Sequence, residues 1–292
     1  MMLLIITGLL IILLFTGCSP GNEEYFLDAN IVFADSCTKE ICLIWDLDNN
    51  GEISSQEVSL VNPTTLKNVF QGKLIHSFNE LKYFSGLNQI PPNCFFYNTS
   101  LKSITLPTSV KSIGSCSFSG CSDLSYINIP SSVTSIGMYC FSGCISLISI
   151  SLPNSITILE NGCFYECVNL ESIKIPNSVT SIEGCFRGCS SLRKVILPSS
   201  LINLGMYSFS RCSGLESITI PKSVESIGQY CFDDCKNLKR VNFAGSNPPE
   251  LDFESLFFAI DTLCVPKGAK EIYINRWKID HDVIIIESNT LM

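Results

Sequence analysis

The sequence predicts an α/β repeat solenoid: a parallel β-sheet built from short stacked turns, closed by a small helical N-terminal cap and a separate C-terminal cap. Three observations predict it. The chain aligns with itself at a period of 23 residues over 101–237. Each unit alternates apolar and polar residues over a strand-length stretch. One Phe recurs in every unit, and a single unit is too thin to bury it without its neighbours.

The units begin at Leu101, Leu124, Leu147, Leu170, Leu192 and Leu215, and the fourth is one residue shorter than the rest. A weaker copy precedes them at Phe78, with Leu81, Leu87, Ile90 and Phe95 in register, and a truncated copy follows with Leu238, Val241 and Phe243. The fourth and sixth positions are apolar, so Ile104 and Leu106, Ile127 and Ile129, and Ile150 and Leu152 are expected to point inward. Proline follows at the seventh position (Pro107, Pro130, Pro153, Pro176, Pro198, Pro221). It cannot donate to a ladder, so it ends each strand at one level. A second inward stretch falls at the tenth and thirteenth positions, as in Val110 and Ile113. Phe118, Phe141, Phe164, Phe186, Phe209 and Phe232 hold the eighteenth position and should form an aromatic spine, each burial contributing roughly 1.5–3 kcal/mol.

Most of the cysteines follow the same register. Cys121, Cys144, Cys167, Cys189, Cys212 and Cys235 occupy the twenty-first position, where the divergent first copy has Asn98. Cys and Asn share a short side chain able to donate to the backbone carbonyl of a neighbouring turn, so these are read as buried thiols. The C-x-x-x-C spacing of a metal site arises here from the repeat itself, with no histidine or carboxylate to complete a shell. Disulfides stay open on geometry, because adjacent rungs lie within the allowed Cα separation.

The outward positions three and five form a hydroxyl-rich ribbon. Tyr126 is its one aromatic, beside Asn128, while Lys174, Lys194 and Arg240 make its later half more basic; these five are the candidate ligand-binding residues. A net charge of −8 leaves no basic patch for nucleic acid. Only two histidines occur, His76 and His281, and no nucleophile–base pair or phosphate loop stands apart from the repeat, so no catalytic residue is assigned.

Ahead of the repeats, residues 3–15 form an apolar run that fits a signal-peptide core and is too short to span a bilayer. It ends Phe15-Thr16-Gly17-Cys18, which resembles the lipobox of bacterial lipoproteins, though Phe15 stands where Leu is usual. That resemblance implies lipidation of Cys18 and attachment to a membrane. Residues 46–57, DLDNNGEISSQE, carry Asp46, Asp48, Asn50, Glu52, Ser54 and Glu57 at ligand positions 1, 3, 5, 7, 9 and 12 of an EF-hand loop, with Gly51 at the sharp turn. Glu52 would offer its backbone carbonyl, and Ser54 would act through water. A structural calcium ion is expected; a lone loop predicts modest affinity. Ser36 is the expected N-cap of the entering helix.

The L-x-x-I-x-L-P…F-x-G-C units resemble the BspA-type leucine-rich-repeat proteins. The resemblance covers about residues 78–250, and TLCVPKGAKEIY with Trp277 resembles the family's closing unit, after which DVIIIE is expected to finish and protect the sheet edge. The organisation expected is signal peptide 1–17, tether 18–35, EF-hand-like cap 36–77, solenoid 78–250 and C-terminal cap 251–292. The resemblance implies a non-catalytic surface or outer-membrane lipoprotein of a Gram-negative bacterium that binds a protein or polysaccharide ligand. The alternative is a structural accessory lipoprotein of an outer-membrane complex.

Overall fold

The computed structural model describes residues 29–252, 260–279 and 283–289. The expected signal peptide, Cys18 and His281 lie outside the described residues.

The N-terminal cap holds helices α1 (Ser36–Cys42), α2 (Ser55–Ser59) and α3 (Pro63–Leu66), with a 3-10 turn at Leu43–Trp45. Asp35, not Ser36, is the N-cap of α1: its backbone is extended (φ −108°, ψ 115°) and its carboxylate accepts from Cys37 N, whereas Ser36 is already helical. The same carboxylate accepts from the amides of His76 and Ser77, so one buried side chain ties the cap to the start of the solenoid. The cap extends back to Ala29, because Ile31 is buried and pairs with Ile53 (Ile31 N to Ile53 O, 2.7 Å). Trp45 packs on Phe84 and Phe70, and Phe70 lies 5.5 Å from Phe95, the first ring of the solenoid spine.

Each solenoid turn has three sides. The first carries short parallel strands. Ser77–Phe78, Ser103–Thr105 and Tyr126–Asn128 form one ladder, and Ser172–Lys174 pairs with Lys194–Ile196. Ser217–Ile220, Arg240–Phe243, Thr262–Pro266 and Ile284–Ser288 form another. In the repeat units these strands stop short of the seventh-position prolines, as expected of a residue without an amide hydrogen. The second side is a ribbon of two-residue strands at positions twelve and thirteen, from Gln89–Ile90 to Ile158–Leu159 and again from Ser181–Ile182 to Glu250–Leu251. Among the described residues the third side has no strand. There the Phe amides reach forward to the next turn, from Phe95 N to Ser117 O (2.7 Å) through Phe209 N to Cys231 O (2.8 Å), without a break. α-Helix among the described residues is confined to the two caps, and a 3-10 segment at Asn79–Tyr83 lies in the first, divergent turn.

Inside, the phenylalanines stack as expected. From Phe95 to Phe232 successive centroids are 5.2–5.6 Å apart and ring planes lie within 10° of parallel. The thiol reading also holds: Cys121 Sγ donates to Phe95 O (3.1 Å), and Cys144, Cys167, Cys189, Cys212 and Cys235 each donate to the Phe carbonyl of the preceding turn at 3.0–3.2 Å. Asn98 donates in the same way to Phe70 O. Ser117, at position seventeen, donates to Pro91 O and Gly114 O. Among the described residues every cysteine is a free thiol.

Two stretches depart from the repeat. The Leu147 turn forms no strand on the first side, only a bridge from Ser149 to Ser172, and Ile150 and Leu152 are half-buried rather than fully inward. On the second side the ladder opens between the Leu147 and Leu170 turns. Gly137 N bonds Ile113 O (2.9 Å) and Gly205 N bonds Ile182 O (2.7 Å), yet the corresponding bond from Glu183 to Leu159 is not made. The Leu170 turn is shorter by one residue between Ile182 and Phe186, so keeping Phe186 on the spine draws the segment away from its neighbour. A side chain at this level is not the cause, because Glu160 at the same position of the Leu147 turn keeps its bond to Ile136 O (3.1 Å). Cys185 Sγ lies 3.9 Å from Leu159 O, the carbonyl left without the Glu183 amide, and donates more closely to Glu160 O at 3.4 Å.

The C-terminal cap closes the stack with α4 (Lys270–Trp277), whose Tyr273 and Trp277 pack on Phe243 and donate to Gly245 O and Pro249 O. Glu287 accepts from the amides of Gly268 and Lys270 at the start of this helix. The last strand finishes the sheet, but not with a polar face: Ile284 and Ile286 are exposed, since the strand's alternation places them outward and half-buries Ile285 between them.

Candidate ligand face and calcium loop

Tyr126, Asn128, Lys174, Lys194 and Arg240 all project from the first side and are exposed. The structure does not gather them into one site. Tyr126 and Asn128 lie on the ladder before the interrupted turn, Lys174 and Lys194 on the pair after it, and Arg240 on the last ladder. Register sets Lys194 against Ser172 and Arg240 between Ser217 and Thr262.

Of the five, Lys174 lines a cleft. Where the Leu147 turn leaves the sheet, a cavity of about 330 Å³ opens on the strand face, bounded by Ser149, Ser151, Asn154, Ser172 and Lys174 over the half-buried Ile150 and Leu152. This size falls at the lower end of roughly 300–1,000 Å³ for small-molecule sites. Its rim offers hydroxyls, an amide and one ammonium, and its floor is apolar. Alternation alone did not reveal it, since the template of the Leu147 unit is intact at its apolar positions; the shortened following unit was the available signal.

The second candidate is the loop at 46–57. Carboxylate oxygens of Asp46, Asp48 and Glu57 lie within 4.8 Å of one another. Gly51 takes φ +80° at the turn, and its amide donates to Asp46 Oδ2 (2.9 Å). Glu57 accepts from Leu47 N (2.6 Å) and Ser54 N (2.8 Å), folding the twelfth position back over the first. The Glu52 carboxylate turns outward to Lys39 (2.8 Å), as suits a residue whose carbonyl is the ligand. Ser54 is the N-cap of α2 in a capping box with Glu57. Burial works against ionisation of Asp46 and Glu57, but the amides of Gly51 and Asn50, and of Ser54 and Leu47, outweigh it and hold both carboxyls below their usual range. A convergent, ionised, all-oxygen donor set fits a hard divalent cation. The bridge between Asn30 and Ser54 gives this loop the antiparallel neighbour that a second loop would otherwise supply.

A three-sided parallel stack with an internal phenylalanine spine defines a leucine-rich-repeat protein. The model of the BspA type leucine rich repeat region matches six copies, over residues 88–184 and 157–273, and the chain belongs to that family. No curated protein matches it. Among solved structures, a leucine-rich repeat protein from Bacteroides ovatus is 28% identical with a TM-score of 0.49, covering 62% of this chain and 53% of its own. The T. pallidum leucine rich repeat protein is 26% identical with a TM-score of 0.47, covering 58% and 81%. A leucine rich cell surface protein from Faecalibacterium prausnitzii is 20% identical with a TM-score of 0.26, covering 70% and 78%. The chain thus spans about half the length of the B. ovatus protein. No helix among the described residues is long and apolar enough to cross a membrane.

Proposed function

We propose that this chain is a non-catalytic, membrane-anchored lipoprotein at the surface or outer membrane of a Gram-negative bacterium, and that it binds a protein or polysaccharide through its strand side. The observation that carries the binding reading is the Ser149–Lys174 cleft, a polar-rimmed recess set in an otherwise flat polar ribbon. Membership of a leucine-rich-repeat family supports it, since stacked repeats present extended rigid surfaces to partners. Attachment rests on Cys18 and its lipobox-like context. Calcium in the 46–57 loop would be structural: the loop joins α1 to α2 and its neighbour Trp45 packs toward the spine, so an ion there stiffens the end of the solenoid.

Protease shaving of intact cells tests the location: a surface binder is cleaved, whereas an accessory lipoprotein facing the periplasm is protected. A pull-down with the fragment from Gly21 onward, with and without calcium, then tests binding, and Lys174→Ala should reduce capture. For the metal, Asp46→Ala and Glu57→Ala should each lower calcium affinity in calorimetric titration and lower the melting temperature in calcium. Identical titrations for variants and parent would refute the site.

A further inference from the structure

We propose a second binding site, on the third side of the solenoid, that takes a single neutral pyranose unit of a glycan. It does not depend on the strand-side cleft. On this third side the sixteenth position of each turn has a left-handed backbone and projects outward. Tyr139, Tyr207 and Tyr230 occupy it, but Gly162 and Gly184 interrupt the row in the two turns between Tyr139 and Tyr207. In those same two turns the nineteenth position carries Tyr165 and Arg187, where the Leu101, Leu124 and Leu192 turns have Ser119, Ser142 and Ser210. The result is a notch of about 140 Å³, floored by Gly184, walled by Tyr139, Tyr165 and Tyr207, and edged by Asn161 and Glu183.

The state of Arg187 marks this as more than a gap filled by large side chains. Its guanidinium lies over the Tyr207 ring, 4.5 Å from the centroid, and 6.0 Å from the centroid of Tyr165, while Tyr230 stacks on Tyr207 at 5.3 Å. Among the described residues no carboxylate pairs with it. Nearby Glu166 is engaged by Arg211 instead, at 3.0 Å, and the buried Nε of Arg187 has no hydrogen-bond partner. A guanidinium offers five donors in a fixed fork, and a desolvated donor left unmade is costly. A fixed cation with an unspent donor beside the exposed Tyr139 ring is a recognition arrangement.

The chemistry selects the ligand. Tyrosine faces offer flat apolar area at low entropic cost, against which the CH face of a sugar ring can pack. Arg187 donates, Glu183 accepts, and Asn161 does both; a ring of hydroxyls, each donor and acceptor, satisfies all three. The volume, well below the roughly 300 Å³ of drug-sized sites, admits one ring. Glu183 and the net charge of −8 oppose an anionic sugar.

Saturation-transfer NMR and calorimetric titration of the full chain with the methyl glycosides of glucose, galactose and mannose, and with methyl glucuronide, test this. At least one neutral glycoside should bind, and more tightly than the glucuronide. Arg187→Gln and Tyr139→Ala should each weaken it by about tenfold or more, the loss of a hydrogen bond to a charged group or of a stacking face. Lys174→Ala, on the other side, should leave it unchanged. Should either notch variant fail to fold, Asn161→Ala, at the rim, should still weaken binding. Absence of binding by all three neutral glycosides, tighter binding of the glucuronide, or unchanged affinity in the folded notch variants would each overturn the proposal.

Discussion

The regular turns and the junction between the Leu147 and Leu170 turns are made from the same template, yet they are held together differently. Around Phe118, amides bridge to the next turn on all three sides, and the rings stack beneath them. At the junction the second side is open and the first keeps a single bridge, while the third-side amides and the Phe164–Phe186 stack (5.5 Å) continue undisturbed. The ring spine and its adjoining ladder therefore suffice to carry the solenoid across a defect in the other two sides. Both recesses described above open within these turns, so irregularity and ligand-sized space occur together.

The comparison can be tested by removing what the junction still has. Phe186→Ala should cost about 3–5 kcal/mol, as large-to-small core changes do. Because stacked repeats are coupled only to their neighbours, it should also split denaturant unfolding into two transitions, whereas Phe118→Ala should lower one transition as a whole. A single transition in both would show the junction to be no weaker than the body. Next in size, Cys212→Ala removes one of the two donors to Phe186 O, which keeps the Cys189 amide at 3.1 Å; the lost bond and the void left by the sulfur should together cost about 1–3 kcal/mol, and Cys212→Ser, which keeps a donor, should recover the hydrogen-bond part of that in chemical denaturation.

A smaller effect is expected at the cap. Asp35→Ala removes the α1 cap and should cost about 0.5–2 kcal/mol. Burial alone would raise this carboxyl, but the amides of His76, Ser77 and Cys37 overcome it and set the folded value below the ordinary 3.8. The ionised form is therefore favoured by folding. Its contribution is complete above 3.8 and should disappear as pH falls through the lower folded value, so parent and Asp35→Ala should converge in stability at strongly acid pH. Smallest of all, inserting one residue before Gly184 to restore the full turn length should close the second-side ladder. Amide exchange at Thr180 and residue 183 should slow by about tenfold with little change in melting temperature. Unaltered exchange would show that the shortened turn is not what holds the ladder open.

The regular architecture was readable because each of its features repeats. Proline at position seven, Phe at eighteen and Cys at twenty-one each do one local job, and Asn98 in place of Cys showed what that job was before any coordinate did. The two recesses were not readable in that way. They depend on how one turn meets the next, and Ile150 and Leu152 satisfy the template while only half-burying. Arg187 and Tyr165 stand at a position the repeat leaves open, and only the packing of neighbouring turns places both at a notch. The 46–57 loop was legible position by position, but its partner segment at Asn30–Ile31 was not, since nothing in a short polar stretch announces which strand it will join.

Burial pushes the Cys121, Cys167, Cys185 and Cys235 thiols up to about 12, and others along the spine higher still, while Cys37 alone is exposed and Cys116 half-buried among the described cysteines. Since only thiolates attack alkylating agents and oxidants, the folded molecule presents a nearly inert exterior despite its sulfur content. The row of sulfurs thereby becomes a built-in gauge: the order in which a thiol-specific label enters the chain records which turns have come apart, and when.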